Sequence, residues 1–390
     1  MLTIIKNVEL YSPKYEGVKD VVIANSKIEG IYENIKVPKD FIDINVIDGS
    51  GKLLFPGFID NHVHLIGGGG EGGFKTRTPE IKLTDLTTAG ITTVVGCIGT
   101  DGVCRSMTSL IAKAKGLEEE GITTFCYTGS YEIPVKTVTS TIKSDFMLID
   151  KIIGVGEVAL SDHRSSQPSF NDFVNTVANA RVGGILSGKA GIVNVHFGEG
   201  ERRLEYLFKL IEETEIPSTQ VLPTHINRNR KLFEVGKEYV KKGGLIDLTT
   251  SFDLNFLEAE ELRASEGLNL LLKDNLNIEN ITFSSDGNGS LPIFDETGNL
   301  TGLGICKVST LYSEVREAIQ AYDIKIEDAI KVITSNVAKV LKLDNKGIIA
   351  PGKDADLVMV DKAELDIELV IAMGKIMVKD GEPIVKGTFE

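Results

Sequence analysis

The stretch Pro56 to Glu71, PGFIDNHVHLIGGGGE, decides how the rest of the chain is read. Pro-Gly punctuates its start, and the apolar run that follows makes Phe58–Leu65 a buried strand ending in a glycine loop. His62 and His64 stand two residues apart. Side chains alternate along a strand, so both imidazoles project to one face and can reach one metal ion. A single histidine there would be read first as a hydrogen-bonded core residue. His-x-His at a strand terminus, just before Gly67 to Gly70, reads better as a ligand pair. The glycines are not a phosphate cradle, because the run lacks a Gly-Lys-Ser/Thr ending.

Beyond this strand, short apolar runs alternate with helical periodicity, the pattern of repeated βα units. Eight such runs are Phe58–Leu65, Thr92–Cys97, Thr123–Tyr127, Ile152–Glu157, Ile192–His196, Gln220–His225, Leu245–Thr250 and Ile281–Asp286. Between and after them, apolar spacing of three and four predicts helices at Met107–Glu119, Phe170–Ala180, Arg203–Glu213, Lys231–Lys241, Glu258–Leu272, Val308–Ala321 and Ile326–Leu341. Eight parallel units in about 230 residues fit a closed (β/α)8 TIM barrel, for which ~250 residues is typical. A doubly wound open sheet is the alternative.

Both ends of the chain have strand texture instead. Leu2–Val8, Val21–Ala24, Lys27–Tyr32 and Asn45–Ile47 precede the barrel, and Asp356–Val360, Leu369–Ala372, Lys375–Val378 and Pro383–Val385 follow it. Termini commonly lie close together, so the two ends are expected to pair into one small β-sandwich domain. The expected division is residues 1–55 with 345–390 for that domain and 56–344 for the barrel.

At 390 residues the chain exceeds the size at which one core usually stops growing. Its net charge of −14 excludes the basic surface that nucleic acid or an anionic membrane would reward. Four cysteines show no C-x-x-C pairing and read as small buried residues. The N-terminus lacks an export signal, and the longest uncharged segment, Leu86 to Thr100, is too short to span a bilayer. A cytoplasmic protein is expected.

Reactive side chains in such barrels project from the C-terminal ends of the strands. Four of the five histidines fall there: His62, His64, His196 and His225. Glu157 ends the fourth predicted strand and Asp286 the eighth. Three or more N/O ligands with an open position suit a catalytic zinc site. His163, just beyond the fourth strand, is compatible with a ligand, an orienting residue or a loop histidine, and is not counted; Asp162 reads as a turn residue.

This pattern of His-x-His, an acid on strand four, single histidines on strands five and six and Asp on strand eight resembles the metal-dependent amidohydrolase superfamily. More narrowly, HVHLIGGGGE, TRTPE, GTDG, SDHRS, PTHINRN, SSDGNGS, MVKDG and VKGTFE resemble the bacterial isoaspartyl (β-aspartyl) dipeptidases. That resemblance implies a zinc-dependent dipeptidase that cleaves isoAsp-X dipeptides with a metal-bound hydroxide. It implies that His62 and His64 bind the more buried Zn2+, that His196 and His225 bind a second, and that Asp286 is both ligand and general base. It further assigns Tyr131 to polarising the scissile carbonyl, Glu71 to the substrate α-amino group, Arg164 and Arg228 to carboxylates, and Thr100 and Ser290 to hydrogen bonds. A homo-oligomer is implied too. The family's fourth strand carries a carboxylated lysine that bridges two metals; Glu157 stands in that place and is expected to bridge instead. Two other readings are an amidohydrolase acting on a cyclic amide or N-acyl amino acid, and a non-catalytic barrel.

Overall fold

A computed structural model of the chain describes residues 2–38, 43–252, 261–294 and 300–390. Its centre is a ring of eight parallel strands: β1 (Phe58–Val63), β2 (Ile91–Gly96), β3 (Thr123–Thr128), β4 (Ile152–Leu160), β5 (Ile192–Phe197), β6 (Val221–Thr224), β7 (Ile246–Thr249) and β8 (Ile281–Ser284). The first six form one parallel sheet in chain order, and β7 pairs in parallel with β8. Strand order therefore never reverses, which rules out the doubly wound alternative. The ring closes through a parallel bridge between Val63 and Gly287, with His64 N donating to Gly287 O at 2.8 Å. Every residue of β1, β2, β4, β5, β6 and β8 is buried, which is why these strands read as near-continuous apolar runs.

Between β6 and β7 the main-chain contact is a 3.3 Å bond from Ile226 N to Asp247 O. Side chains reinforce that region. Asp247 on β7 accepts from Asn61 Nδ2 (3.1 Å), Thr224 Oγ1 (2.7 Å), Thr282 Oγ1 (2.6 Å) and Ser284 Oγ. One carboxylate thus ties β1, β6 and β8 to β7, and its four donors meet the hydrogen-bonding demand of a buried acid.

Two bulges set the directions of the side chains at the barrel mouth. Asn61 and His62 together face Val95 on β2, and Gly156 and Glu157 together face Asn194 on β5. An inserted residue twists the strand locally and re-aims its side chains. Glu157 consequently does not end its strand, as its sequence position suggests; β4 continues to Leu160 and Glu157 projects from the bulge.

Helices cover the barrel at Met107–Glu120, Glu205–Glu213, Arg230–Lys241 and Thr310–Gln320, within one or two residues of the expected ends, and at Phe170–Ser187, which runs about two turns past the expected Ala180. Of the expected helix Glu258–Leu272, residues 258–260 lie outside the described residues, and the helix seen is Ala264–Lys273. The segment expected as one helix at Ile326–Leu341 instead has two short α-helices, Ile326–Ala329 and Ser335–Val340, around a 3-10 turn. They part at Thr334 (φ −130°, ψ −96°), where buried Ile330, Val332 and Ile333 pack into the core. Helices at Leu83–Thr87 and Ile142–Leu148, and a hairpin of Ser290–Phe294 with Leu300–Ile305, have no counterpart in the sequence reading.

The two chain ends build one nine-stranded sheet. Its seam is Lys52–Pro56, parallel to Leu2–Tyr11 on one side and antiparallel to Leu357–Asp361 on the other. The sheet curls on itself: a Cβ at Gly374 would lie 1.7 Å from Asn25 O, so turns far apart along the ladder touch. Ile5, Val8, Leu54, Leu357 and Ile371 fill the interior. Buried Lys346 joins this domain to the barrel, donating to Thr123 Oγ1 at 2.7 Å and pairing with Asp354 at 2.9 Å.

Gly156 has φ +152°, and a Cβ there would meet Asn194 O at 2.9 Å. Gly156→Ala should therefore lower unfolding free energy by about 1–3 kcal/mol, measured by urea denaturation; wild-type stability would show that the bulge tolerates a side chain.

Candidate active site

Four imidazoles and two carboxylates converge at the C-terminal mouth of the barrel. Glu157, 1% exposed at its side chain, lies at their centre. Its Oε2 is 3.3 Å from His62 Nε2 and 3.8 Å from His64 Nε2. Its Oε1 is 2.7 Å from His196 Nδ1 and 3.3 Å from His225 Nε2. Each carboxylate oxygen thus serves one histidine pair. Asp286 Oδ1 adds to the first group, 3.0 Å from His64 Nε2 and 3.5 Å from His62 Nε2.

These separations suit cations. Ligand atoms around a tetrahedral ion bound at about 2.1 Å sit roughly 3.4 Å from one another. Both ring nitrogens of His62 and Glu157 Oε2 are buried without a hydrogen-bond partner, a costly arrangement that a metal ion would relieve at one of the nitrogens and at the oxygen. Among the described residues two clusters qualify: His62, His64, Cys97 and Glu157, and Glu157, His196 and His225. Cys97, read from the sequence as a small buried residue, lies against the first, with Sγ 3.8 Å from His64 Nδ1.

Charge is arranged to keep the ligands competent. Burial alone would raise Glu157, but the His62 charge and hydrogen bonds with His196 and His225 hold it well below the usual carboxylate range. Asp286 is likewise pushed up by burial and pulled down by His64 and His62, to about 2. Burial, then the Arg228 guanidinium, depress His225 to about 3, so that ring is neutral and free to ligate. Burial and the Glu157 charge push the Tyr131 phenol well up, leaving it a protonated donor whose Oη is 2.9 Å from His196 Nδ1. His225 and Asp286 both adopt left-handed backbone (φ +63° and +52°), uncommon for side-chain-bearing residues and concentrated at functional sites.

Above the cluster opens a cavity of about 510 Å3, lined by Glu71, Thr100, Tyr131, Arg164, Arg228 and Ser290, with Asp286 at its floor. Glu71 and Arg164 stand side by side, Oε1 to Nη1 3.6 Å, and Thr100 Oγ1 donates to Glu71 at 2.8 Å. Arg164 also stacks over the Tyr131 ring, 5.5 Å from its centroid. The glycine loop before Glu71 must be glycine where it packs on Thr76–Thr78: Gly67 has φ +82°, and a Cβ would meet Thr78 O at 2.3 Å. Buried Arg105 pins that loop through Gly67 O, Gly68 O (2.7 Å) and Thr78 O (3.0 Å).

The sequence reading missed several residues of this site. Asp162, taken as a turn residue, is buried with Oδ2 2.9 Å from His196 Nε2 and 2.8 Å from Arg164 Nη2. Its signal was the Asp-x-Arg spacing in SDHR, which lets a carboxylate pair with the guanidinium two residues on. Thr249 has Oγ1 2.6 Å from His225 Nδ1. His163, left open, has a side chain 91% exposed and turned away from the ligand cluster.

Residues 53–388 match the amidohydrolase family. The chain belongs to it. Among solved structures it is similar to the beta-aspartyl dipeptidase of the thermophilic keratin degrader Fervidobacterium islandicum AW-1. With that enzyme in complex with beta-Asp-Leu dipeptide, the TM-score is 0.91 at 48% identity, covering 98% of this chain and 97% of the other. A second structure of that enzyme gives 0.90 at 46%, covering 98% of each. Curated relatives are more distant. Dihydroorotase of Aquifex aeolicus (strain VF5) is 42% identical over 64 residues, 16% of this chain. Adenine deaminase of Bacillus subtilis (strain 168) is 24% identical over 395 residues, 94% of this chain. The chain spans 14% and 58% of their respective lengths. The family is one of metal-dependent hydrolases, and this amidohydrolase has a donor set that fits a metal. No helix among the described residues is long and apolar enough to cross a membrane.

A histidine that ligates through one ring nitrogen is oriented by the partner of the other. Thr249→Val, which removes the hydroxyl beside His225, should weaken divalent-metal retention by ~10–100-fold in competition with a chelator; unchanged retention would leave the hydroxyl without that role.

Proposed function

We propose that this amidohydrolase hydrolyses the isopeptide bond of β-aspartyl dipeptides. The observation that carries the reading is the Glu71–Arg164 pair on the cavity wall above the ligand cluster. A β-linked aspartyl residue keeps its α-ammonium and α-carboxylate free on one carbon, and an adjacent carboxylate and guanidinium match that pair of charges. The 48% identical Fervidobacterium enzyme, with beta-Asp-Leu bound, supports the same substrate class.

His62, His64 and Asp286 would hold one zinc ion and His196 and His225 another, with Glu157 shared between them. Bound there, zinc supplies Lewis acidity: it polarises a carbonyl oxygen and brings the acidity of water to about neutral pH. Asp286, 20% exposed and ionised, is the base that accepts the proton of the attacking water and delivers it to the leaving amine. Tyr131 donates its hydroxyl proton to the oxygen on which negative charge develops. Arg164 orients the α-carboxylate, Arg228 the second carboxylate, and Thr100 and Ser290 complete the hydrogen bonding. Thr100 also fixes the rotamer of Glu71, so the ammonium meets a preorganised acceptor.

We further propose a homo-oligomer, supported by exposed Met147, Leu148, Ile185 and Leu186 on the packed helices Ile142–Leu148 and Phe170–Ser187. A cytoplasmic site of action is supported by four unpaired thiols.

In a panel of dipeptides, kcat/KM for isoAsp-Leu should exceed that for Asp-Leu by at least ~100-fold, since losing a charged clamp costs roughly 2–3 kcal/mol or more. Equal values would sink the reading, as would turnover of a hydantoin in place of isoAsp-Leu. Wild-type protein should bind two zinc ions per chain, falling to one or none in Glu157→Gln; a single ion in wild type, with full activity in the variant, would remove the bridge.

A further inference from the structure

We propose that Asp162 is a positioning residue that couples the metal centre to the substrate clamp, by holding a ligand imidazole and a clamp guanidinium on one carboxylate. The inference rests on the proposed metal centre and deepens it.

Asp162 accepts from Arg164 at both oxygens: Oδ1 from the main-chain N (2.7 Å) and Nε (3.0 Å), Oδ2 from Nη2 (2.8 Å). Oδ2 also lies 2.9 Å from His196 Nε2, and the side chain is 3% exposed. The loop that carries it has little freedom. Gly200 N donates to Ser161 O at 2.7 Å, Ser161 Oγ donates to Gly200 O at 2.8 Å, and Gln167 Nε2 donates to Asp162 O at 2.9 Å. The facing strand end has no side chain in the way: a Cβ at Gly198 would lie 2.5 Å from Asp162 Oδ2.

The opposite edge of the His196 ring faces the ligand cluster, with Nδ1 2.7 Å from Glu157 Oε1. An imidazole that offers Nδ1 to a cation must carry its proton on Nε2, and an acceptor facing Nε2 fixes that tautomer. An ionised carboxylate accepts and never donates, so Asp162 enforces the ligating form of His196. The same oxygen holds Arg164, whose Nη2 is 3.2 Å from His196 Nε2. The carboxylate thereby compensates a guanidinium that would otherwise crowd a cation-binding imidazole. Occupancy at His196 and the setting of Arg164 consequently depend on one group.

Asparagine has the right shape and the wrong donors. Arg164 donates twice at the Oδ1 position, from its main-chain N and Nε, and once at Oδ2, so the amide oxygen takes the Oδ1 place and the amide nitrogen faces His196 Nε2 and Arg164 Nη2. That drives the ring proton to Nδ1, where it points at the cation site.

The test measures Zn2+ retained by the full-length protein against a competing chelator, with kinetics on isoAsp-Leu and thermal unfolding recorded in parallel. Asp162→Asn should weaken retention of one of the zinc ions by ~10–100-fold and raise KM. Arg164→Ala should raise KM and leave zinc retention at the wild-type level. Gly198→Ala, which presses on the carboxylate from outside the ligand set, should shift retention in the same direction as Asp162→Asn and by less. Wild-type retention in Asp162→Asn would overturn the coupling alone, as would equal loss of zinc in Arg164→Ala. Absence of bound zinc in the wild-type protein would overturn the metal centre itself.

Discussion

The structure is organised around one buried anion. Glu157 is fully buried among the strands, where an uncompensated carboxylate would cost several kcal/mol. Four imidazoles from three strands surround it, and a second carboxylate, Asp286, approaches two of them from β8. Two carboxylates this close, in a space this dry, require positive charge between them. Burial opposes charge on His62 and His64, and Cys97 with the neighbouring carboxylates raises both imidazoles well above their ordinary range. A divalent cation meets the same demand with more charge and with ligands already aimed. Much of the local backbone serves this arrangement: the bulges at Asn61–His62 and Gly156–Glu157 and the left-handed His225 and Asp286.

A second belt of charge lies above the first. Glu71 and Arg164 line the cavity with opposite charges, buried Asp162 backs Arg164, and each has a partner even without substrate. Such a wall suits a zwitterionic head group, which can replace one protein contact with another of equal kind. It suits a hydantoin or another neutral cyclic amide poorly, because desolvating the Glu71–Arg164 pair would then bring no compensating contact. The non-catalytic alternative meets a different obstacle. A scaffold would gain nothing from a buried His62 ring that has no partner, whereas a metal centre uses one of its nitrogens.

The supporting architecture separates precision from stability. Asp247 and its four donors close the barrel beneath the site, and Lys346 ties the terminal sheet to β3 on the far side. Function is thus confined to the loops and strand ends at one face, while polar groups elsewhere in the barrel maintain closure.

The eight strands, the helices at Met107, Phe170 and Arg230, and the histidines at the strand ends were legible because each depends on local periodicity. An apolar run reports burial on both faces, and His-x-His reports a common face, whatever lies across the barrel. The seam strand Lys52–Pro56 escaped because its partners come from opposite ends of the chain and because its last residue, Pro56, reads as the punctuation before the barrel. Asp162 looked like a turn residue for a similar reason: its carboxylate gains its role from His196, 34 positions away. Glu157 was placed at the right strand and the wrong point on it, since a bulge is defined by the register of two strands and not by either sequence. The sequence by itself pointed to the histidines and acids that could ligate and to the strand each would follow, and passed over Cys97, which lies in the same cluster. Tertiary structure alone decided which oxygen of Glu157 faces which imidazoles, which groups orient them, and that Glu71 stands beside Arg164, because these depend on distances across the barrel that no local pattern encodes.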